Sequence, residues 1–129
     1  MEKSIDFNKC NALILAYMGD AVIELLARRR IIGDGDRKVN ELNIEAKKYV
    51  TAVSQSAAVE KLLPSLTERE LAIFKYGRNA KGVNIPKSAS AVDYRRATGL
   101  ECLFGHLYLE GDTERAEELF DIAYDGGID

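Results

Sequence analysis

Residues 11–32 read NALILAYMGDAVIELLARRRII, and this stretch decides the fold class. Its apolar side chains surround a helical wheel instead of forming one stripe, which predicts a central helix buried by several neighbours. Three arginines, at 28–30, fall in the expected last turns, where positive charge suits the helix dipole. Gly33 and the Asp-Gly-Asp that follows it are expected to end the helix.

The middle of the chain continues the helical pattern. Residues 39–63 repeat apolar side chains at helical spacing and form either one helix or two. Thr67 and Glu70 then make a capping-box pattern. This pattern predicts a helix over 68–76, which Gly77 is expected to end.

The last third predicts a loop and two more helices. Residues 77–90 have loop composition, and a helix is expected over about 92–109. Gly111-Asp112-Thr113 precedes an amphipathic helix over 114–124. No segment has the sequence pattern of a β-strand. We therefore expect an all-α fold, with residues 1–129 forming one domain.

Composition favours a cytoplasmic protein. Cys10 and Cys102 lie far apart, without the spacing of a zinc site or of a disulfide framework. The N-terminus has no apolar run behind a basic start, so it does not resemble a signal peptide. The apolar stretch over 11–27 is interrupted by Asp20 and Glu24 and is shorter than the roughly 20 residues that span a bilayer. No membrane span is expected.

Three acids lie where acids are costly. Asp20 and Glu24 are the only charged side chains in residues 12–27, and their four-residue spacing places both on one helical face. Glu101 is the sole acid in residues 99–109, which are otherwise largely apolar. Removing an ionised carboxylate from water costs several kcal/mol unless a cation or strong donors compensate. If the two helices meet, the acids form an oxygen-ligand site suited to Mg²⁺ or Mn²⁺, the ions of phosphodiester hydrolysis.

An ordinary structural interpretation also fits these acids. Asp20 is then the cap of a helix that restarts after Gly19. In that interpretation Glu24 and Glu101 pair with arginines, for which Arg28, Arg95 and Arg96 are the candidates. The pattern of acids alone leaves both interpretations open.

One segment is basic although the whole chain is not. The net charge of −3 and the pI of about 5.3 argue against a nucleic-acid partner unless positive charge clusters locally. Residues 75–96 hold a single acid, Asp93, and six basic side chains: Lys75, Arg78, Lys81, Lys87, Arg95 and Arg96. Interleaved asparagines and serines add neutral donors, a mixture suited to RNA phosphates and 2′-hydroxyls. An ordinary solvated loop would have the same charges.

Five short motifs occur in order over residues 11–109. They are Gly-Asp-Ala-Val at 19–22 with Glu24 two residues on, Gly-Arg-Asn-Ala-Lys at 77–81, Pro-Lys at 86–87, Tyr-Arg at 94–95 and Thr-Gly-Leu-Glu at 98–101. Together they resemble the ribonuclease III catalytic domain, most closely its Mini-III branch.

The resemblance implies an all-α homodimer, without a separate RNA-binding domain, that cuts both strands of double-stranded RNA with Mg²⁺. It implies that Asp20 and Glu101 are the catalytic, metal-binding residues. The basic motifs imply RNA contacts from the side chains of Arg78, Asn79, Lys81, Lys87 and Arg95. The role of the branch implies that the substrate is the precursor of 23S ribosomal RNA.

Two positions depart from the larger ribonuclease III pattern. Ala16 and Thr98 stand where that pattern has a glutamate and an aspartate, so this chain has fewer acids. Water would then supply more of the metal's ligands, and Glu24 and Thr98 are the candidates for an auxiliary role. A non-catalytic helical protein associated with RNA or the ribosome is the alternative function, and the presence of both Asp20 and Glu101 argues against it.

Overall fold

The computed structural model describes residues 10–33 and 35–125, and this part of the chain is helical without a β-strand. Its α-helices are α1 (Ala12–Ile32), α2 (Val39–Tyr49), α3 (Ala52–Leu62), α4 (Glu68–Arg78), α5 (Ala91–Glu110) and α6 (Thr113–Ala123). A short 3-10 turn, Leu63–Ser65, joins α3 to α4. The expected all-α fold is confirmed.

The central helix is α5, although residues 11–32 were expected to supply it. Helix α5 packs against α1, α3, α4 and α6. Of residues 97–107 every one is buried except Glu101. Helix α1 instead leaves Ile14, Tyr17 and Leu25 exposed. The prediction that residues 11–32 form a helix with apolar side chains on all sides is therefore correct. Part of that apolar surface, however, is not covered by other helices of the same chain.

The two long helices touch backbone to backbone at a pair of glycines. A Cβ atom on Gly19 would lie 1.6 Å from the carbonyl oxygen of Glu101. A Cβ atom on Gly105 would lie 1.9 Å from the carbonyl oxygen of Leu15. Neither position has room for a side chain, so the backbones of α1 and α5 are in direct contact at these two glycines. This crossing places residue 20 beside residue 101.

Gly77 does not end α4, as the sequence suggested, but lies inside it. A Cβ atom there would lie 2.4 Å from the Cβ atom of Cys102 and 3.0 Å from the Cα atom of Gly99. Packing against α5 therefore explains this glycine, and the helix continues to Arg78.

Residues 39–63 form two helices, one of the two outcomes that the periodicity allowed. Helix α2 ends at Tyr49, and the hydroxyl of Thr51 accepts a hydrogen bond from the Ser54 amide at 3.1 Å to cap α3. A β-branched pair, Val50 and Thr51, occupies the break.

The capping box at the start of α4 is confirmed. The Thr67 hydroxyl accepts from the Glu70 amide at 3.1 Å, and the Glu70 carboxylate accepts from the Thr67 amide at 3.0 Å. Glu70 also pairs with Arg115 of α6 at 2.8 Å, so the same carboxylate joins two helices. Within the part of the chain that the structure describes, no helix is long and apolar enough to cross a membrane.

Candidate active site

Asp20 lies in the middle of α1, on the side of the helix that solvent reaches. The helix runs through Gly19 without interruption, so Asp20 is not the cap of a restarting helix. The side chain is exposed, and its carboxyl also contacts the Glu101 carboxyl of α5. Asp20 is therefore open to solvent at the edge of the α1–α5 crossing.

Glu101 lies across the crossing from Asp20 and is partly buried on α5. Burial raises the pKa of the Glu101 carboxyl to about 8, and the negative charge of Asp20 adds to the increase. The side-chain amide of Gln55, on α3, acts in the opposite direction as a donor. No arginine takes part, so the ion pair that the structural interpretation proposed for Glu101 is absent from its surroundings.

The pair has the donor chemistry of a divalent-metal site. Two adjacent carboxylates repel each other when both are ionised, and a cation between them would remove that cost. Oxygen ligands of this kind suit Mg²⁺, which usually keeps several waters and takes one or two protein carboxylates. Over residues 10–33 and 35–125 no third acid, histidine or cysteine joins the pair. Asp20 and Glu101 therefore fit Mg²⁺ as a two-carboxylate site whose other ligands come from water or substrate.

The two auxiliary candidates have hydrogen-bond partners of their own. Glu24 accepts a hydrogen bond from Arg28 at 2.7 Å, and both side chains are exposed. This is the ion pair that the structural interpretation proposed for Glu24. The Thr98 hydroxyl donates to the backbone carbonyl of Tyr94 at 3.0 Å, and the residue is buried.

The basic residues divide into an anchored group and an open group. Arg95 is half-buried, and its Nη1 donates to the backbone carbonyls of Arg78 at 3.3 Å and Ala80 at 2.9 Å. It therefore holds the beginning of the 79–90 segment, a role that composition did not indicate. Lys81 and Lys87 are exposed on that segment.

Arg78 and Asn79 lie where α4 meets the segment. The Nε atom of Arg78 donates to the side-chain oxygen of Asn79 at 3.1 Å. The Arg78 guanidinium also lies 5.8 Å from the centre of the Phe74 ring, close enough for a cation–π contact. These contacts fix the direction of a cation at the edge of the segment.

Sequence reasoning missed two residues of this site. Gly19 was considered as a break and as part of the Gly-Asp-Ala-Val motif, but not as the residue that sets the contact between the backbones of α1 and α5. Gln55 was not singled out, although it shares the apolar stripe of Ala58, Val59 and Leu62 on α3. A long polar side chain at a core position was the signal that could have identified it.

An exposed apolar patch lies beside the site. Tyr17 is 82% exposed, and Ile14 and Tyr76 are each 52% exposed. These side chains border an open groove of about 500 Å³ that Lys81 also lines. Exposed apolar side chains in a contiguous group are typical of an interface.

Comparisons with known proteins agree on one family. The model of the family described as Ribonuclease III domain matches residues 13–112. The chain is 45% identical over 113 residues to the Mini-ribonuclease 3 of Symbiobacterium thermophilum, covering 88% of this chain and 87% of that protein. It is 42% identical over 123 residues to the Mini-ribonuclease 3 of Brevibacillus brevis, covering 95% of this chain and 92% of that protein. A crystal structure of a protein from Fusobacterium nucleatum superposes with a TM-score of 0.82 at 32% identity, covering 95% of this chain and 98% of that one.

Proposed function

This chain belongs to the ribonuclease III family, in its Mini-ribonuclease 3 branch, and on that premise we propose that it hydrolyses phosphodiester bonds of double-stranded RNA at a Mg²⁺ site formed by Asp20 and Glu101. One observation carries the assignment of the site. The glycine crossing of α1 and α5 places these two carboxylates beside each other. Burial and mutual repulsion oppose the ionisation of Glu101 there, and a divalent cation would remove that cost.

The two carboxylates have different tasks in this mechanism. Asp20 is exposed and is the carboxylate that faces the RNA backbone. Glu101 lies behind it, where burial keeps its pKa high and makes its ionisation depend on a neighbouring positive charge. Bound Mg²⁺ supplies activation of water and compensation of the charge that develops on the phosphate. Ribonuclease III chemistry therefore needs both residues at once.

The basic segment is the proposed RNA-binding surface. Arg78, Lys81 and Lys87 contribute positive charge to a chain whose net charge is −3. Arg95 anchors the beginning of the segment to α5, the helix that also contains Glu101. Glu101 lies six positions after Arg95, a rise of roughly 9 Å along the helix axis. Phosphates held by the segment would thus lie near the carboxylate pair.

The branch also supplies a biological role for the proposal. We place the protein in the cytoplasm, where residues 1–129 act as one catalytic domain that matures the ends of 23S ribosomal RNA precursor. The support is membership of the Mini-ribonuclease 3 branch.

Single-turnover cleavage of a labelled RNA duplex across a Mg²⁺ titration tests the nuclease. Asp20→Asn and Glu101→Gln should each nearly abolish cleavage while duplex binding persists, because either change removes charge that holds the cation. The double variant should be little worse than either single variant, since residues that act as a unit are not additive. Glu24→Gln is the matched control and should cleave almost normally, because Glu24 pairs with Arg28.

Near-normal cleavage by a folded Asp20→Asn protein would refute the site. A wild-type protein that binds duplex RNA without cutting it under any Mg²⁺ concentration would instead favour the non-catalytic, RNA-associated function.

We further propose that the active form is a homodimer, with one carboxylate pair for each RNA strand. The patch formed by Ile14 and Tyr17 of α1 and Tyr76 of α4 is the proposed contact surface, since these apolar side chains are exposed in one chain. A two-fold contact there would bring both Asp20 residues close to the interface. Light scattering at micromolar concentration should give twice the mass of the chain, and Tyr17→Glu should give the monomer mass. A monomeric wild-type protein would contradict this proposal.

A further inference from the structure

Gln55 is a buried polar residue that packing alone does not explain. It is 1% exposed and lies on the face of α3 that packs against α5. Its amide nitrogen is enclosed and has no hydrogen-bond partner of ordinary distance and angle. Enclosing an amide without a partner is unfavourable, because the amide loses its hydrogen bonds to water. An apolar residue of similar length would avoid that cost.

The group that faces this amide is the Glu101 carboxyl. Gln55 reaches it as a donor, although the contact does not have the distance and angle of an ordinary hydrogen bond. Three helices therefore meet at one carboxyl: α5 carries it, α1 brings a second acid and α3 brings an amide. An ionised carboxylate has acceptor sites for both an amide and a cation.

We infer that Gln55 is a positioning residue for Glu101: its amide donates to the ionised carboxylate and holds it in the direction in which it faces Asp20. The inference rests on the proposed metal site. A hydrogen bond to an ionised acceptor is shorter and about twice as strong as one between neutral groups, so an amide donor suits a carboxylate that binds a cation. Orienting partners behind a metal ligand typically change metal affinity or activity by about 10–100-fold. In a site with only two acids, a neutral donor gives direction without adding a third negative charge.

Gln55→Met tests this role, because methionine has a similar length and fills the same space without an amide. The variant should fold at least as stably as the wild type. The Mg²⁺ midpoint of melting, taken as the dissociation constant fitted to the rise of melting temperature with Mg²⁺ concentration without RNA, should increase about 10–100-fold. The Mg²⁺ midpoint of single-turnover cleavage should increase in parallel, while duplex affinity stays unchanged. A purely structural residue would not move the Mg²⁺ midpoints.

Ser54→Ala is the matched control. Its hydroxyl is also buried without a hydrogen-bond partner near the start of α3. Removing it should leave both Mg²⁺ midpoints at their wild-type values. A folded Gln55→Met protein with wild-type midpoints in both measurements would overturn the inference.

A measurement on the wild-type chain covers the case in which Gln55→Met fails to fold. Gln55 is the single glutamine of the sequence, so glutamine-selective ¹⁵N labelling gives one pair of side-chain amide signals. These signals should shift during a Mg²⁺ titration, with the midpoint found by melting. Signals that stay in place while Mg²⁺ raises the melting temperature would overturn the inference.

The two tests also separate this inference from the nuclease proposal. Melting and amide signals report on Mg²⁺ binding without RNA, so they judge Gln55 even if the duplex is not cut. Absence of cleavage would count against the nuclease, whereas absence of any Mg²⁺ effect in the wild type would overturn the positioning role.

Discussion

The α1–α5 crossing and the 79–90 segment both contribute to the proposed site, but they are held in different ways. At the crossing, Gly19 and Gly105 bring two backbones into contact with no space for a methyl group. None of residues 79–90 is buried, and Arg95 ties the beginning of that segment to α5. Carboxylates that bind a cation need a fixed separation, whereas cations that attract a polyanion need only local density of charge. The two regions should therefore respond very differently to substitution.

The largest effect is expected at the crossing. Gly19→Ala places a Cβ atom 1.6 Å from the Glu101 carbonyl oxygen, so the helices must separate or the chain must fail to fold. The loss in unfolding free energy should be about 3 kcal/mol or more, at the upper end for an overpacked core. Gly82→Ala is the comparison in the basic segment, where φ is +78° and nothing lies within 4 Å of the added methyl. Backbone strain there should cost about 1 kcal/mol.

Urea unfolding of both variants measures this contrast. Equal losses in the two variants would show that the crossing is more tolerant than its geometry indicates.

The next effect is a pH dependence of the unfolding free energy that arises from Glu101 at the crossing. The pKa of Glu101 rises from 4.5 to about 8 on folding, so the folded state binds the proton more tightly. Its contribution to stability is complete below pH 4.5 and is lost as the pH rises towards 8. Without divalent cations, the unfolding free energy should fall in this window by at most about 1.4 kcal/mol per pH unit.

Glu101→Gln should remove this slope, and Mg²⁺ should flatten it in the wild type by binding the ionised pair. His106, whose pKa burial lowers, contributes with the opposite sign in the lower part of the window. It does so in both proteins, so the difference between wild type and Glu101→Gln isolates Glu101. Identical pH profiles for the wild type and Glu101→Gln would contradict a raised pKa of Glu101 in the folded protein.

A smaller effect on stability is expected where the basic segment is anchored. Arg95→Ala removes the donors to the carbonyls of Arg78 and Ala80 and should cost about 1–2 kcal/mol. Amide hydrogen exchange over 79–90 should accelerate as the segment loosens. Arg96→Ala, which removes an ion pair with Glu60, is the neighbouring control and should cost less than about 1 kcal/mol. Unchanged exchange in Arg95→Ala would mean that the segment keeps its shape without the anchor.

The smallest effect on folding, but a clear one on binding, is expected from replacing Arg78, Lys81 and Lys87 together by alanine. Unfolding free energy should change by less than about 1 kcal/mol, because the lysines are exposed and Arg78 loses only its surface contacts. Duplex affinity of a cleavage-deficient protein should fall, and its log–log salt slope should become shallower by about 2–3 for three lost phosphate contacts. Fluorescence anisotropy at several salt concentrations measures both. An unchanged slope would place the RNA-binding surface elsewhere.

Local sequence was sufficient for most of the helices and for the two acids proposed as catalytic. The capping box at Thr67 and Glu70 was found where the pattern predicted it, because both of its hydrogen bonds lie within four residues. Motif spacing led to the ribonuclease III family, which the comparisons confirm. The roles of the individual site residues stay predictions.

Other features followed from contacts between distant parts of the chain. Gly77 was expected to end α4 because glycine often follows a helix, yet it packs inside one against Cys102. Arg95 and Lys81 look alike as basic residues, and only the fold separates an anchor from an open cation.

The sequence by itself determined an all-helical chain, the identity of the two lone acids and a local excess of positive charge, since each depends on spacing along the chain. Only the tertiary structure decided that Glu101 faces Asp20 and Gln55, that α5 is the central helix and that one α1 face stays exposed. The physical reason is that helical periodicity shows which side chains share a face. It does not show which face another helix covers, and burial and the raised pKa of Glu101 both depend on that cover.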